Sequence, residues 1–141
     1  MSGRPEFVFF TDRDLGRRFA EILSSAGPRV ERHGDHFAPD TADEVWLATV
    51  GKRGWVAITH DQHIRYRPNE LGAVMRNGVA LLVVVGKAPF PELARSFVAT
   101  LPHIERFLLR NEPPYIAKVY RPTPTEAAAG IQSGRVERWH P

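Results

Sequence analysis

Four apolar residues in a row, Phe7-Val8-Phe9-Phe10, run without alternation into Thr11-Asp12-Arg13-Asp14 and then into a helical pattern. An unbroken apolar run of this kind reads as a strand covered on both faces, which a parallel sheet in an α/β domain provides. Asp12 then falls at the C-terminal end of that strand. In open α/β sheets this edge gathers loops and helix N-termini and is where ligands bind, so the residues that the rest of the chain delivers there decide what it can do.

Residues 14–26 carry Leu15, Phe19, Ile22 and Leu23 at spacings of three and four and stop at Gly27-Pro28, which predicts an amphipathic helix. Residues 29–33 read as a short or edge strand, because only Val30 is clearly apolar. Thr41-Ala42-Asp43-Glu44 has capping-box spacing, with Thr41 as the cap and Glu44 three residues on, and opens a helix with Val45, Trp46, Leu47 and Val50 on its inner side. Residues 55–59 form a third strand, nearly all apolar, and lead into His60 and Asp61.

A short helix over 68–77 follows, begun by Pro68 and closed by Gly78, and then a covered strand over 79–85. Residues 89–110 have helical spacing interrupted by Pro102, which predicts a kink or two consecutive helices. Residues 115–120 alternate well enough to be a last strand at the sheet edge. Beyond Pro122 the composition turns to Pro, Thr, Ala, Gly and charged residues, so 123–141 is expected to be a tail, loosely ordered or partner-dependent, attached to a domain of residues 1–122. Alternation of strands and helices implies right-handed crossovers. The expected fold is a three-layer α/β/α sandwich with a mostly parallel central sheet.

Composition narrows the chemistry. The 141 residues contain no cysteine, which excludes disulfides, thiolate metal sites and cysteine nucleophiles and fits a reducing, cytoplasmic setting. No basic segment followed by an apolar stretch opens the chain, and no apolar run approaches the roughly 18 residues that span a bilayer. A soluble protein with no membrane partner is expected. Lysine plus arginine exceed aspartate plus glutamate by 19 to 16, a modest excess that favours acidic partners such as nucleic acid.

If the strands are parallel, Asp12, Asp43, Glu44 and Asp61 all reach one edge. Carboxylates crowded together raise one another's pKa unless a cation lies among them, and an all-oxygen set suits magnesium or manganese. Such ions generate a nucleophilic hydroxide and stabilise a leaving oxygen in phosphodiester hydrolysis. Taken singly, each acid could equally be a helix cap; acids after two strands and at the intervening helix start point to a site.

Cations flank them: Arg13, Arg17 and Arg18 beside the first acid, Lys52 and Arg53 near the second, Arg65 and Arg67 after the third. They suit the phosphates of a nucleic acid, and Tyr66 between Arg65 and Arg67 suits stacking on a base. His60 lies where it would touch substrate beside Asp61. The histidine pairs His33/His36 and His60/His63 read as loop residues rather than zinc ligands, and Trp46, Trp55 and the late phenylalanines as core.

With these residues in hand, the chain resembles the PIN-like nucleases, within them the branch of VapC-like toxins of bacterial toxin–antitoxin pairs. The resemblance lies in Phe9-Phe10-Thr11-Asp12-Arg13 followed by Leu15-Gly16-Arg17-Arg18, in Asp40-Thr41-Ala42-Asp43-Glu44-Val45-Trp46, and in Gly54-Trp55-Val56-Ala57-Ile58-Thr59-His60-Asp61. It covers about residues 7–85. It implies a magnesium- or manganese-dependent endoribonuclease, with Asp12, Asp61 and one of Asp43 and Glu44 as metal-binding, catalytic acids. RNA as substrate and an antitoxin protein as partner come with it, and a homodimer is compatible with it.

Asp14 lies where related sequences often lack an acid, so it is expected to cap the following helix. No fourth acid matches late in the chain, where the strand over 79–85 ends in Gly86-Lys87. Asp12-Arg13-Asp14 after an apolar strand also resembles the nucleophile motif of haloacid-dehalogenase-like phosphatases, in which the first aspartate is phosphorylated and the second is the acid/base. A non-catalytic RNA- or protein-binding module on the same scaffold is the third alternative.

Overall fold

The structure is a computed structural model, described here over residues 6–141; residues 1–5, with which the expected 1–122 domain begins and in which a leader was sought, lie outside the described residues. The chain forms β1 (Val8–Thr11), α1 (Gly16–Ser25), β2 (Arg29–Arg32), α2 (Asp43–Arg53), β3 (Val56–Thr59), α3 (Pro68–Arg76), β4 (Ala80–Val84), α4 (Phe90–Arg110), β5 (Tyr115–Tyr120), α5 (Pro124–Ala128) and β6 (Arg135–His140). Short 3-10 turns at Arg13–Leu15, His33–Asp35 and Ile64–Tyr66 follow the first three strands.

The six strands form one sheet in the order β2-β1-β3-β4-β5-β6. All neighbours are parallel except β5 and β6, which are antiparallel. The alternation of strand side chains sends Phe9, Ile58, Leu82, Val84 and Ala117 to one face, where α1 and α4 close a core with Phe19, Leu23, Phe97 and Ile104. Phe10, Ala57, Leu81, Val83 and Ile116 point the other way, onto α2 and α3 with Trp46, Leu47, Val50 and Val74. The three-layer sandwich with its mostly parallel sheet is therefore present. Fully burying each large apolar side chain is worth roughly 1.5–3 kcal/mol, and the rings of Phe10 and Trp46 stack with centroids 5.3 Å apart.

Several local expectations are corrected. Pro102 does not divide the segment into two helices: Phe90–Arg110 is one helix of 21 residues. Its buried stripe, Leu93, Phe97, Leu101, Ile104 and Leu108, holds the helix across the interior position that lacks an N–H donor, and Pro102 itself is exposed. Thr41 is not the cap of α2; Ala42 holds that position without a side-chain bond, and the helix begins at Asp43.

Residues 115–120 do not end the sheet, because β6 pairs beyond them. Where composition suggested a loose tail, Thr123 and Glu126 form a capping box over α5 and residues 135–140 supply the edge strand. Pairing with β5 orders a segment whose own composition would not. The two edge strands, Arg29-Val30-Glu31-Arg32 and Arg135-Val136-Glu137-Arg138-Trp139-His140, are both charge-rich, which discourages edge-to-edge association.

Candidate active site

Strand order reverses direction at β1, with β2 on one side and β3 on the other, and the C-terminal ends of β1 and β3 make the switch point at which α/β sheets bind ligands. Thr11 and Ile58 are register partners there. The next residues along each strand, Asp12 and Thr59, face each other: the Thr59 hydroxyl lies 2.9 Å from Asp12 Oδ2. Asp12 is 8% exposed and Thr59 fully buried.

Asp14 completes the constellation and corrects the expectation that it caps a helix. The 3-10 turn Arg13–Leu15 separates β1 from α1, and it is Asp12 that caps this turn, accepting from the Arg13 N–H at 2.8 Å. Gly16, at φ 76°, then redirects the chain into α1. The same turn swings Asp14 back over β3, where its Oδ2 lies 3.1 Å from the Thr59 hydroxyl and 3.1 Å from the His60 N–H.

One hydroxyl thus stands between two carboxylates. Thr59 has a single proton to donate and already accepts from the Asp61 N–H at 3.2 Å, so it can satisfy only one of Asp12 and Asp14 at a time. Burial, then the neighbouring charge of Asp14 and, more weakly, of Asp43, push Asp12 up from 3.8 to about 7. Asp14 is raised as well, by burial and by Asp61, against the hydrogen bonds from Thr59 and His60 that lower it. The site therefore holds more negative charge than its hydrogen bonds can stabilise near neutral pH.

The other predicted residues are placed as follows. Asp43, at the start of α2, accepts from the Trp46 indole N–H at 2.9 Å and is close enough for its charge to act on Asp12. Glu44 has no hydrogen-bond or ion-pair partner among the described residues, so of the two helix acids it is Asp43 that reaches the site electrostatically. Asp61 follows Thr59 and adds charge beside Asp14, while its carboxylate accepts from Arg67 and from the His63 N–H. His60 sends its ring outward, with Nε2 donating to the Gly86 carbonyl at 2.9 Å and the ring edge-on to Phe90. Among the described residues, no three histidine, aspartate or glutamate side chains gather tightly enough to hold a metal ion as they stand.

Beside Asp12 lies an open cleft of about 170 Å3, lined by Asp12, Arg13, Arg17, Arg32 and His33 with backbone from Gly16 and Gly34. Arg13 and Arg17 were expected there. Arg32 was not, since it belongs to a weakly patterned edge strand; it pairs with Asp35 at 3.1 Å. Burial and nearby Arg13 hold His33 below the usual histidine range, and its ring packs against Phe10 and Phe37 as an uncharged part of the wall. Arg65, Tyr66 and Arg67 lie on the turn that follows β3.

Two residues of this site, Thr59 and Arg32, are not singled out by the sequence, and Asp14 is read there chiefly as a cap. Asp14 was visible as half of the Asp12-Arg13-Asp14 pair; Thr59 and Arg32 carry no motif signal of their own. No curated protein and no solved structure matches the chain. No helix among the described residues is long and apolar enough to cross a membrane. The family model for the PIN-like domain matches residues 7–86, a span that begins just before β1, contains every acid described above and takes in more than half of the 141 residues; the chain therefore belongs to the PIN-like domain family, a nuclease-type module.

Proposed function

We propose that the chain is a metal-dependent endoribonuclease of the VapC-like kind, the toxin of a type II toxin–antitoxin pair. The observation that carries the hydrolytic reading is the single Thr59 hydroxyl shared by Asp12 and Asp14. Asp12 is buried and Asp14, exposed to solvent, reaches the same hydroxyl from the rim; the two carboxylates leave a charge surplus that a divalent cation neutralises, and the donors are all oxygen, which suits magnesium or manganese. Asp12 and Asp14 would hold the ion, with Asp43 adding charge from the start of α2. Bound there, it would supply an activated water and Lewis-acid stabilisation of the phosphodiester.

The chain's own residues have separate tasks. Thr59 fixes the two carboxylates relative to one another. Asp12 would hold the ion as the carboxylate, and Arg13, Arg17 and Arg32 in the adjoining cleft bind backbone phosphates. His60 ties the acid edge to the loop after β4 through Gly86. RNA as the substrate and the toxin role rest on the sequence resemblance over residues 7–85.

The test is cleavage of end-labelled single-stranded RNA by the full chain with magnesium or manganese. Cutting should stop with chelator and fall roughly 100-fold or more in Asp12→Asn, the scale of losing a principal electrostatic group. Unchanged cutting by Asp12→Asn contradicts these roles. The toxin part has its own readout: expression of the parent, and not of Asp12→Asn, arrests growth, whereas unaffected growth with an active nuclease overturns the toxin role alone.

One observation favours a second reading. With Asp14 in the site rather than on a helix cap, the pair Asp12 and Asp14 also has the composition of an aspartyl-phosphatase nucleophile and its acid/base. The PIN-like match over residues 7–86 favours the ligand role instead. Hydrolysis of small phosphate monoesters with no action on RNA would reverse that choice.

A further inference from the structure

The face of the sheet that carries Thr59 continues onto β5 and β6, where α3 packs on β5 at Ile116, and Lys118 and Tyr120 beyond it are only half-buried. Register runs level across the sheet from Thr59 to Val83, Lys118 and Glu137. Lys118 is therefore two strands from Thr59, roughly 10 Å at the usual strand spacing. Its Nζ sits 4.0 Å over the ring of Trp139 on β6. The turn Ile64–Tyr66 reaches over from β3 to the same place: Arg65 lies 5.3 Å from the Trp139 ring and 5.6 Å from the Tyr66 ring, and Tyr66 meets Trp139 edge-on at 5.8 Å. On the same face Arg135 lies 4.1 Å over Tyr120.

Ile64 is fully buried and roots this turn in the core, while Tyr66 is 67% exposed. A large aromatic ring held out to solvent by a rooted turn, with cations around it, has the composition of a surface that stacks a base and binds the phosphates on either side. Arg65, Lys118 and Arg135 bring three cations to this face, where Glu137, level with Lys118, is engaged by Arg135 at 2.6 Å. The charge excess fits a polyanion. A duplex offers no unstacked base to Tyr66, so the occupant that matches both features is a single strand.

We propose that Tyr66, Arg65, Lys118 and Trp139 form a platform that binds single-stranded RNA a few nucleotides away from the bond that is cut, steering the strand across the Ile64–Tyr66 turn to the Asp12–Asp14 edge. The platform rests on the nuclease reading for its substrate. Half of it, Lys118 and Trp139, lies outside the residues that match the family, so the site is a property of this chain's own C-terminal hairpin of β5 and β6. Tyr66 stacks, Arg65 and Lys118 neutralise phosphates, and Trp139 orients both cations.

The test uses the full chain carrying Asp12→Asn, so that RNA is bound and not consumed. Affinity for a labelled single-stranded oligonucleotide is measured over a range of salt, alone and with Tyr66→Ala or Lys118→Gln added. Loss of a stacked base predicts roughly 5- to 100-fold weaker binding for Tyr66→Ala. Loss of one phosphate contact predicts a salt slope about 0.7 shallower for Lys118→Gln.

Circular dichroism confirms that each variant is folded, and Tyr66→Phe should restore binding. If the Asp12→Asn protein binds RNA and neither added change alters affinity or slope, the platform is wrong and the nuclease reading stands. If the parent neither cuts nor binds RNA, both fall. Equal losses against duplex and single strand overturn the stacking role, and a single-stranded DNA of the same sequence bound equally well broadens the ligand to either single strand.

Discussion

At the β1–β3 end of the sheet, buried Asp12 and exposed Asp14 meet on one hydroxyl with Asp43 nearby; on β5–β6, Arg65, Lys118 and Arg135 lie over half-buried aromatic rings. Like charges pressed together in a poorly hydrated place leave free energy to be gained by anything that neutralises them. Cations resting on rings at the protein surface are already half-solvated and half-paired, each contact worth roughly 0.5–1 kcal/mol at such sites. The first region is built for reaction and the second for reversible contact. Changes in the first should therefore have large consequences that depend on cation and pH, and changes in the second small ones that depend on salt.

The largest expected effect breaks the acid pair from the side the sequence discounted. Asp14→Asn should slow RNA cleavage by ~10²–10³-fold, comparable to Asp12→Asn, while Glu44→Gln should change it by less than about threefold, since Glu44 touches nothing in the site. Steady-state rates on one labelled RNA compare the three variants. An Asp14→Asn enzyme at parental rate would return Asp14 to a merely local role.

Next comes the cost of the buried charge in protein stripped of divalent ions. Asp12 is raised from 3.8 to about 7, so between those values the folded state keeps a proton that the unfolded state has released. Stability must then fall as pH rises from about 4 to about 7, by up to about 4 kcal/mol for a shift of this size. Urea unfolding at several pH values measures it. Asp12→Asn should flatten the profile and unfold at higher denaturant above pH 7; a parent whose stability climbs over that interval would show that the carboxylate is not strained.

Thr59→Val sharpens the same point, because it removes the shared donor and leaves the acids in place. It should cost ~1–3 kcal/mol above pH 7, and less at pH 5, where both carboxyls are closer to neutral. Smaller still is Arg67→Ala. The Arg67–Asp61 ion pair is largely exposed, so its loss should cost no more than about 1 kcal/mol in thermal stability. The smallest effect belongs to the β5–β6 side: the Tyr115 hydroxyl is buried with no partner among the described residues, and Tyr115→Phe should leave stability unchanged or raise it by ~1 kcal/mol.

How much of this could be read from the chain follows from the range of the interactions. The apolar runs at Phe9-Phe10, Val56-Ala57-Ile58 and Leu81-Leu82-Val83 and the helical spacing of Leu15, Phe19 and Leu23 are local signals, and the parallel three-layer core follows from them. Asp12 was legible because an acid ending a covered strand is conspicuous. Asp14 was misread because its destination depends on the 3-10 turn before α1 and on a partner 45 residues away.

The partner of Asp61 was equally hidden, since nothing in its spacing shows that Arg67 pairs with it. The strand β6 left no trace in the sequence beyond Val136 and Trp139, because its order comes from β5 and its surface is charged. Local pattern therefore locates the acid edge, and long-range pairing decides which acids share it.

The central claim is that the Asp12–Asp14 pair exchanges a proton for a divalent cation. It is tested most directly by calorimetric titration of manganese into the parent and Asp12→Asn proteins near neutral pH, in two buffers of different ionisation enthalpy. The account predicts that the parent binds manganese with release of a proton, as Asp12 is only partly ionised at that pH, and that Asp12→Asn binds at least tenfold more weakly, roughly the cost of a lost ligand contact, without that release. Equal affinity and equal proton release in the two proteins would contradict it.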